Sequence, residues 1–177
     1  MVSQYQWYAM RATYKREFVA QEYLAGKGFE VFIPLRKEVK VIRGIKRKQT
    51  VPAINSLIFV RAQKEMLQQV KFGVEYLQYI TRKEGGSNVP VVVPERQMEI
   101  FIKVVQDDKI DKTFFTPEEV NLSEGTRVRV HGGALDGNEG VLLKVKGKRK
   151  KQFFINIDGL VAVSTVISDV ELLEVID

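Results

Sequence analysis

The chain has 177 residues, 45% of them hydrophobic, with 28 Lys and Arg against 22 Asp and Glu for a net charge of +6, and no cysteine. That length suits one large domain or a medium and a small one, each with its own core, while the lack of cysteine excludes a disulfide framework, a thiolate metal site and a cysteine nucleophile. The opening stretch MVSQYQWYAMRATYK lacks the basic start and apolar core of a secretion signal, and no segment approaches the ~20 apolar residues of a membrane span, so a cytoplasmic protein without membrane contact is expected.

In chain order, QWYAMRA is an aromatic-rich opening strand. KREFVAQEYLAGKG follows with Phe18, Val19, Glu22 and Leu24 at helical rather than alternating spacing, and Gly26 and Gly28 are plausible stops for that helix. FEVFIPLRKEVKVIRGIKRKQTVPA reads as a strand broken by Pro34 and then a hairpin with Arg43-Gly44 at its tip. Val39, Val41 and Val51 are expected to anchor the base of that hairpin to the sheet, while Arg43, Lys46, Arg47 and Lys48 cluster near the tip. The tip must project, because burying so many unpaired cations costs far more than local packing returns. NSLIFVRA is apolar on both strand faces from Leu57 to Val60 and should be a central strand. QKEMLQQVKFG is a short helix, LQYITRKEGGSNVPVVVP a pair of extended segments around a Gly-Gly-Ser-Asn turn, and PERQMEIFIKVVQ a helix opened by proline with Met98, Phe101, Ile102 and Val105 on one face. These elements predict an α/β domain with an antiparallel sheet over residues 1–106.

Residues 107–124, DDKIDKTFFTPEEVNLSE, lose the hydrophobic period and read as a linker, with Phe114 and Phe115 available to pack on a domain. From Thr126 onward TRVRV, GVLLKV, QFFINI, LVAVSTV and VELLEVI read as short strands joined by tight turns, the pattern of a small β-barrel over residues 125–177. The charge is divided unevenly. Residues 1–106 hold 18 Lys and Arg against 9 Asp and Glu, whereas residues 107–177 hold 10 against 13. A basic first domain suggests a polyanionic partner. The run KGKRKK at 146–151 reads as a solvated hairpin tip in preference to an RNA contact.

Catalytic chemistry is not visible. The only histidine, His131, stands beside Gly132 and Gly133 and reads as a surface turn residue, no phosphate-binding loop can be drawn, and Glu118 and Glu119 are solvated linker carboxylates. No metal, cofactor or catalytic residue is assigned.

Between Arg127 and Val145, RVRVHGGALDGNEGVLLKV places an alternating strand, a glycine-rich turn and Gly140 ahead of a second strand. That stretch resembles the KOW motif of ribosomal and transcription-elongation proteins. Upstream stand a Trp-Tyr opening, a first helix with a glutamate-leucine stretch, a proline after the second strand, a basic hairpin, the Leu57-Ile58-Phe59-Val60 strand and a Val-Pro before the last helix. These marks resemble the amino-terminal domain of the NusG family, and with the KOW segment in order the resemblance covers almost the whole chain. It implies an α+β fold, an NGN domain with an antiparallel sheet flanked by helices, followed by a small SH3-like KOW barrel. Two departures, Ile54-Asn55-Ser56 ahead of that strand and Gly133-Ala134-Leu135 in the KOW turn, point to a specialised paralogue of the RfaH or UpxY type, the latter serving capsular or surface polysaccharide operons.

The resemblance implies a non-enzymatic elongation or antitermination factor that binds RNA polymerase at the β′ clamp helices and the β subunit and suppresses pausing or termination. On that reading Trp7, Tyr8, Ile54, Leu57 and Phe59 form an apolar patch for the clamp helices, and Gln68, Gln69 and Val70 reach the β subunit. Arg43, Lys46, Arg47 and Lys48 lie near upstream or non-template DNA, and Leu135 stands where the KOW domain meets a ribosomal protein or termination factor. RfaH refolds this region into helices, but the β-branched and aromatic residues of QFFINI and LVAVSTV favour a stable barrel. The alternative reading is a KOW-type ribosomal or RNA-binding protein, which needs basic residues spread over both domains.

Overall fold

A computed structural model describes residues 4–157, 159–168 and 171–177. The chain forms two compact units, residues 1–98 and 99–177. The first contains β1 (Gln6–Ala12), α1 (Glu17–Gly26), β2 (Glu30–Phe32), β3 (Leu35–Ile42), β4 (Ile45–Pro52), β5 (Leu57–Ala62), α2 (Lys64–Lys71), β6 (Leu77–Tyr79), β7 (Thr81–Glu84), β8 (Ser87–Pro90) and β9 (Val92–Val93), and the boundary falls inside α3 (Glu95–Gln106).

A five-stranded antiparallel sheet organises this unit, in the order β2-β5-β1-β6 with β9 also paired to β1. The pleat sends alternate side chains to opposite faces. Tyr8, Met10 and Ala12 of β1 meet Ile58, Val60 and Ala62 of β5 in one buried cluster with Ala20 and Leu24 of α1 and Leu67 of α2. The other face carries Trp7, Ala9, Leu57 and Phe59, which are buried as well. Helix α1 buries Glu17, Ala20 and Leu24 and leaves Phe18 and Val19 exposed, so the expected helix forms with its face turned from the expected one. The Glu17 carboxylate accounts for that rotation: it is 4% exposed and accepts the Ser56 backbone N–H at 2.7 Å, taking a position an apolar residue would otherwise fill.

The second unit holds β10 (Thr113–Phe115), a 3-10 turn (Leu122–Glu124), β11 (Thr126–His131), β12 (Glu139–Leu143), β13 (Gln152–Ile157), β14 (Val161–Val166) and β15 (Leu172–Val175). These six strands form one antiparallel sheet, ordered β10-β14-β13-β12-β11-β15. Among the described residues no pairing joins β10 to β15. All five strands expected after position 125 are present; Val170, the first residue of the last one as read from sequence, lies outside the described residues. The stretch read as linker supplies β10, which pairs with β14, and the Phe115 ring meets that of Phe154 at 5.4 Å. Gly140 is explained by close approach. A β-carbon there would collide with the Phe154 carbonyl oxygen and come within 2.7 Å of the Phe153 ring, so any side chain would push β12 off β13.

Candidate functional site

The β3–β4 hairpin is the most cationic element of the first unit. Its two strands pair without interruption from Leu35↔Pro52 to Ile42↔Ile45, which leaves Arg43 and Gly44 as a two-residue turn. Both have positive φ, +50° and +77°, the left-handed pair of a type I′ turn that matches the twist of the strands it joins. Gly44 adopts this conformation at no steric cost; Arg43 does so only because the ladder on either side holds it there.

Beyond that ladder the hairpin stands as its own two-stranded sheet. Its base is tied by Ala53, whose N–H donates to the Pro34 carbonyl at 2.7 Å. Val39 and Val41 are 58% and 61% exposed and anchor nothing, contrary to the sequence expectation, because their strand pairs only with β4; Val51 is half-buried. Alternation divides the side chains between two faces. Lys46 and Lys48 share one face with Val39 and Val41, while Lys40 and Arg47 share the other with Ile42 and Ile45. The single carboxylate of the hairpin, Glu38, is engaged by Arg36 at 3.1 Å and by the Gln49 side-chain amide. Among the described residues no carboxylate pairs with Lys40, Arg43, Lys46, Arg47 or Lys48, and all five are exposed. The result is a two-faced blade with a cationic end and exposed apolar side chains between the cations.

The expected polymerase patch is differently placed. Trp7, Tyr8, Leu57 and Phe59 are 3%, 2%, 4% and 0% exposed, so they are sheet interior and not a surface patch. The reason is positional: β1 and β5 are flanked by other strands and covered on both faces, which leaves no outward side for these residues. Tyr8 belongs to the core cluster; its hydroxyl donates to Gln6 Oε1 at 3.2 Å, and burial, then the Glu65 charge, raises its pKa above the usual tyrosine value. Burial likewise pushes the Tyr79 hydroxyl up to about 12, with the Tyr8 ring tilted against it at 5.9 Å.

Ile54, in the loop before β5, remains partly accessible. Gln68 and Gln69 are exposed on α2, whereas Val70 is half-buried and packs on the core. Beside them the structure reveals what sequence reasoning missed: Phe72, 85% exposed one turn after Gln68, and Met66, 45% exposed one turn before Val70. The available signal was the moment of the helix itself, which puts Leu67 inward and leaves Met66 and Phe72 outside that stripe.

Leu135 also turns inward. It is 2% exposed, the Asn138 N–H donates to its carbonyl at 3.0 Å, and it lines a hollow of about 340 Å³ with Ile110, Ala134, Thr165 and Val166. As the one large apolar side chain in the turn Gly132–Asn138 it fills the space under that turn, which is why it is not displayed as a free contact. His131 ends β11 instead of sitting in the turn, and its Nε2 lies 2.7 Å from Glu174.

The family model described as "Transcription termination factor nusG" matches residues 5–102, more than half of the chain and nearly all of the first unit. The chain belongs to the NusG family. Its membership points to a factor of transcription elongation or antitermination, and NusG-family proteins generally bind RNA polymerase. A solved structure described as "Domain interaction in Thermotoga maritima NusG" is similar to it with a TM-score of 0.46 and 18% identity, over 92% of this chain and 93% of that one. No curated protein matches the chain. The β3–β4 hairpin and α2 both lie within the NusG match, and β10 to β15 lie after it.

Proposed function

We propose that this NusG-family chain is a non-catalytic elongation or antitermination factor that binds RNA polymerase through residues 1–98 and lays its β3–β4 hairpin on upstream or non-template DNA. The observation that carries the reading is the set of five exposed cations at positions 40, 43, 46, 47 and 48 on a separate two-stranded hairpin, none of them paired with a carboxylate among the described residues. Phosphate contacts of this kind position a protein without reading sequence. The polymerase contact centres on Ile54 and the outer side of α2, where Gln68, Gln69, Met66 and Phe72 combine accessible amides with exposed apolar surface. Binding of this sort suppresses pausing only if it is tighter to the elongating state of the enzyme than to the paused one.

The second unit takes the KOW role, with β11 to β15 as the barrel strands and the hollow beside Leu135 as the seat for a ribosomal protein or termination factor. The departures at Ile54–Ser56 and Gly133–Leu135 favour an operon-specific paralogue over a housekeeping factor. A cytoplasmic location accords with this role.

The test is the salt dependence of binding to a complete elongation complex. Reversing the charges of Arg47 and Lys48 should flatten the slope of log K against log salt by about one unit per lost phosphate contact, and leave binding to polymerase without nucleic acid nearly unchanged. An identical slope for the two proteins removes the hairpin from the DNA.

A further inference from the structure

A second cationic site lies on the unit whose remaining charge is negative. Residues 144–151 join β12 to β13, and six of the eight are Lys144, Lys146, Lys148, Arg149, Lys150 and Lys151. All six are exposed. The rest of residues 107–177 holds only four Lys and Arg against thirteen Asp and Glu. Of those four, Arg127 and Arg129 are engaged by Glu139 and Glu174 at 2.6–4.0 Å, and the Lys112 ammonium donates to the Asp107 carbonyl at 2.7 Å. Among the described residues no carboxylate pairs with any of the six loop cations, although carboxylates outnumber cations on this unit.

The loop is folded, not splayed. The Lys148 N–H donates to the Val145 carbonyl at 3.1 Å, the Lys144 ammonium donates to the Arg149 carbonyl, and Gln152 Nε2 reaches the Lys150 carbonyl at 3.3 Å. These bonds fold a segment in which six like charges stand within eight residues, a mutually repulsive arrangement. Solubility does not require it, since the unit is already well charged without the loop.

We propose that residues 144–151 form a second nucleic-acid site, which grips the phosphodiester backbone. The proposed role in transcription enters only in choosing nucleic acid among polyanions. The loop contains no aromatic residue on which bases could stack, so its grip is on the backbone phosphates. The remainder of the unit, with four Lys and Arg against thirteen Asp and Glu, disfavours a polyanion and leaves this loop as the cationic place for the strand.

The experiment measures binding of the full chain, without polymerase, to a single-stranded RNA and to a duplex DNA across a salt series. The variant Lys148→Gln/Arg149→Gln/Lys150→Gln is compared with wild type and with the hairpin variant Arg47→Gln/Lys48→Gln. Neutralising three loop cations should lower the slope of log K against log salt by about two units on RNA, or nearly three on duplex DNA, and the ligand that shows its full loss identifies the strand. The thermal midpoint should not move, and the charge-conserving variant Lys148→Arg/Lys150→Arg should bind as wild type does. The hairpin variant must retain the slope contributed by the loop, which separates failure here from failure of the hairpin's role. An unchanged slope in the triple variant, or loop-dependent binding to phosphatidylserine vesicles with none to either nucleic acid, overturns the site.

Discussion

Leu57 begins β5 opposite Arg11 of β1, and the backbone just ahead of it is fixed from two sides. Ser56, with φ of +65°, donates its N–H to the buried Glu17 carboxylate at 2.7 Å and accepts the Ala12 N–H at 2.8 Å. That pair of bonds sets where Ile54 is presented and delivers Leu57 into the sheet, where it is 4% exposed. An aspartate at position 57 would put a carboxylate into a buried position where only the exposed Arg11, across the ladder, could approach it, in addition to losing the leucine's apolar contacts. Leu57→Asp should therefore destabilise the chain by at least about 4 kcal/mol, against the roughly 5–15 kcal/mol that holds an ordinary domain together. Denaturant titration measures this directly. A variant with wild-type stability and selectively weakened polymerase binding would return Leu57 to the contact surface.

At the scale of elements, β15 is the strand of the six-stranded sheet with every described side chain exposed. It pairs only with β11, and Leu172, Leu173 and Val175 are all exposed, so its attachment rests on the backbone ladder and on charge. The Glu174 carboxylate meets His131 at 2.7 Å and Arg129 at 3.3 Å, and the Arg127 guanidinium donates to the Asp177 carbonyl at 3.0 Å. The hydrogen bond from His131 holds Glu174 below the usual carboxylate range; partial desolvation opposes this and the charge of Arg129 adds to it. A carboxylate depressed in the folded state contributes stability that is complete above its unfolded pKa and is lost as pH falls through the folded one. Amide protection over Leu172–Val175 should accordingly drop at acid pH, below the ordinary carboxylate range, before that of β13 does. Hydrogen exchange corrected for intrinsic rates is the measurement, and Glu174→Gln should abolish the pH dependence.

Elements of this kind were legible in the sequence to different depths. Strand β5 and the β3–β4 hairpin were plain, the first from a run apolar on both faces and the second from turn chemistry and clustered cations, both local signals. The orientation of α1 was hidden, because it is decided by Ser56, 39 residues from Glu17 in sequence. For the same reason β10 read as linker: three residues in an acidic stretch carry no period, and only β14 makes them a strand. Exposure of Leu57 and Leu135 was misjudged because residue type says that a side chain is apolar, not whether it meets a partner protein or its own sheet.

For the molecule as a whole, the question with most functional weight is whether residues 125–177 keep their strands in the free chain or change fold to control access to partners. The sheet makes a strong case for permanence. Phe153, Phe154, Ile155, Ile157, Val161, Ala162 and Val163 are buried on two neighbouring strands, paired from Gln152↔Val166 to Ile157↔Val161. Most of them are β-branched or aromatic and lose rotamer freedom in a helix. Seven glycines are distributed through the same segment, and each placed inside a helix costs about 1 kcal/mol relative to alanine. Strand β10 adds a bond to sequence outside the segment, since Thr113–Phe115 must leave β14 before the rest can refold. The intact free protein should therefore give extended Cα and Cβ chemical shifts across β11 to β15, unchanged by dilution. The proposed partner surfaces of the second unit, the hollow beside Leu135 and the cationic loop at 144–151, would then be present without a trigger, and on the proposed function regulation would come from recruitment to polymerase instead of unmasking. Helical shifts across this segment in the free chain would show that the strands form only on release, and with them the two surfaces.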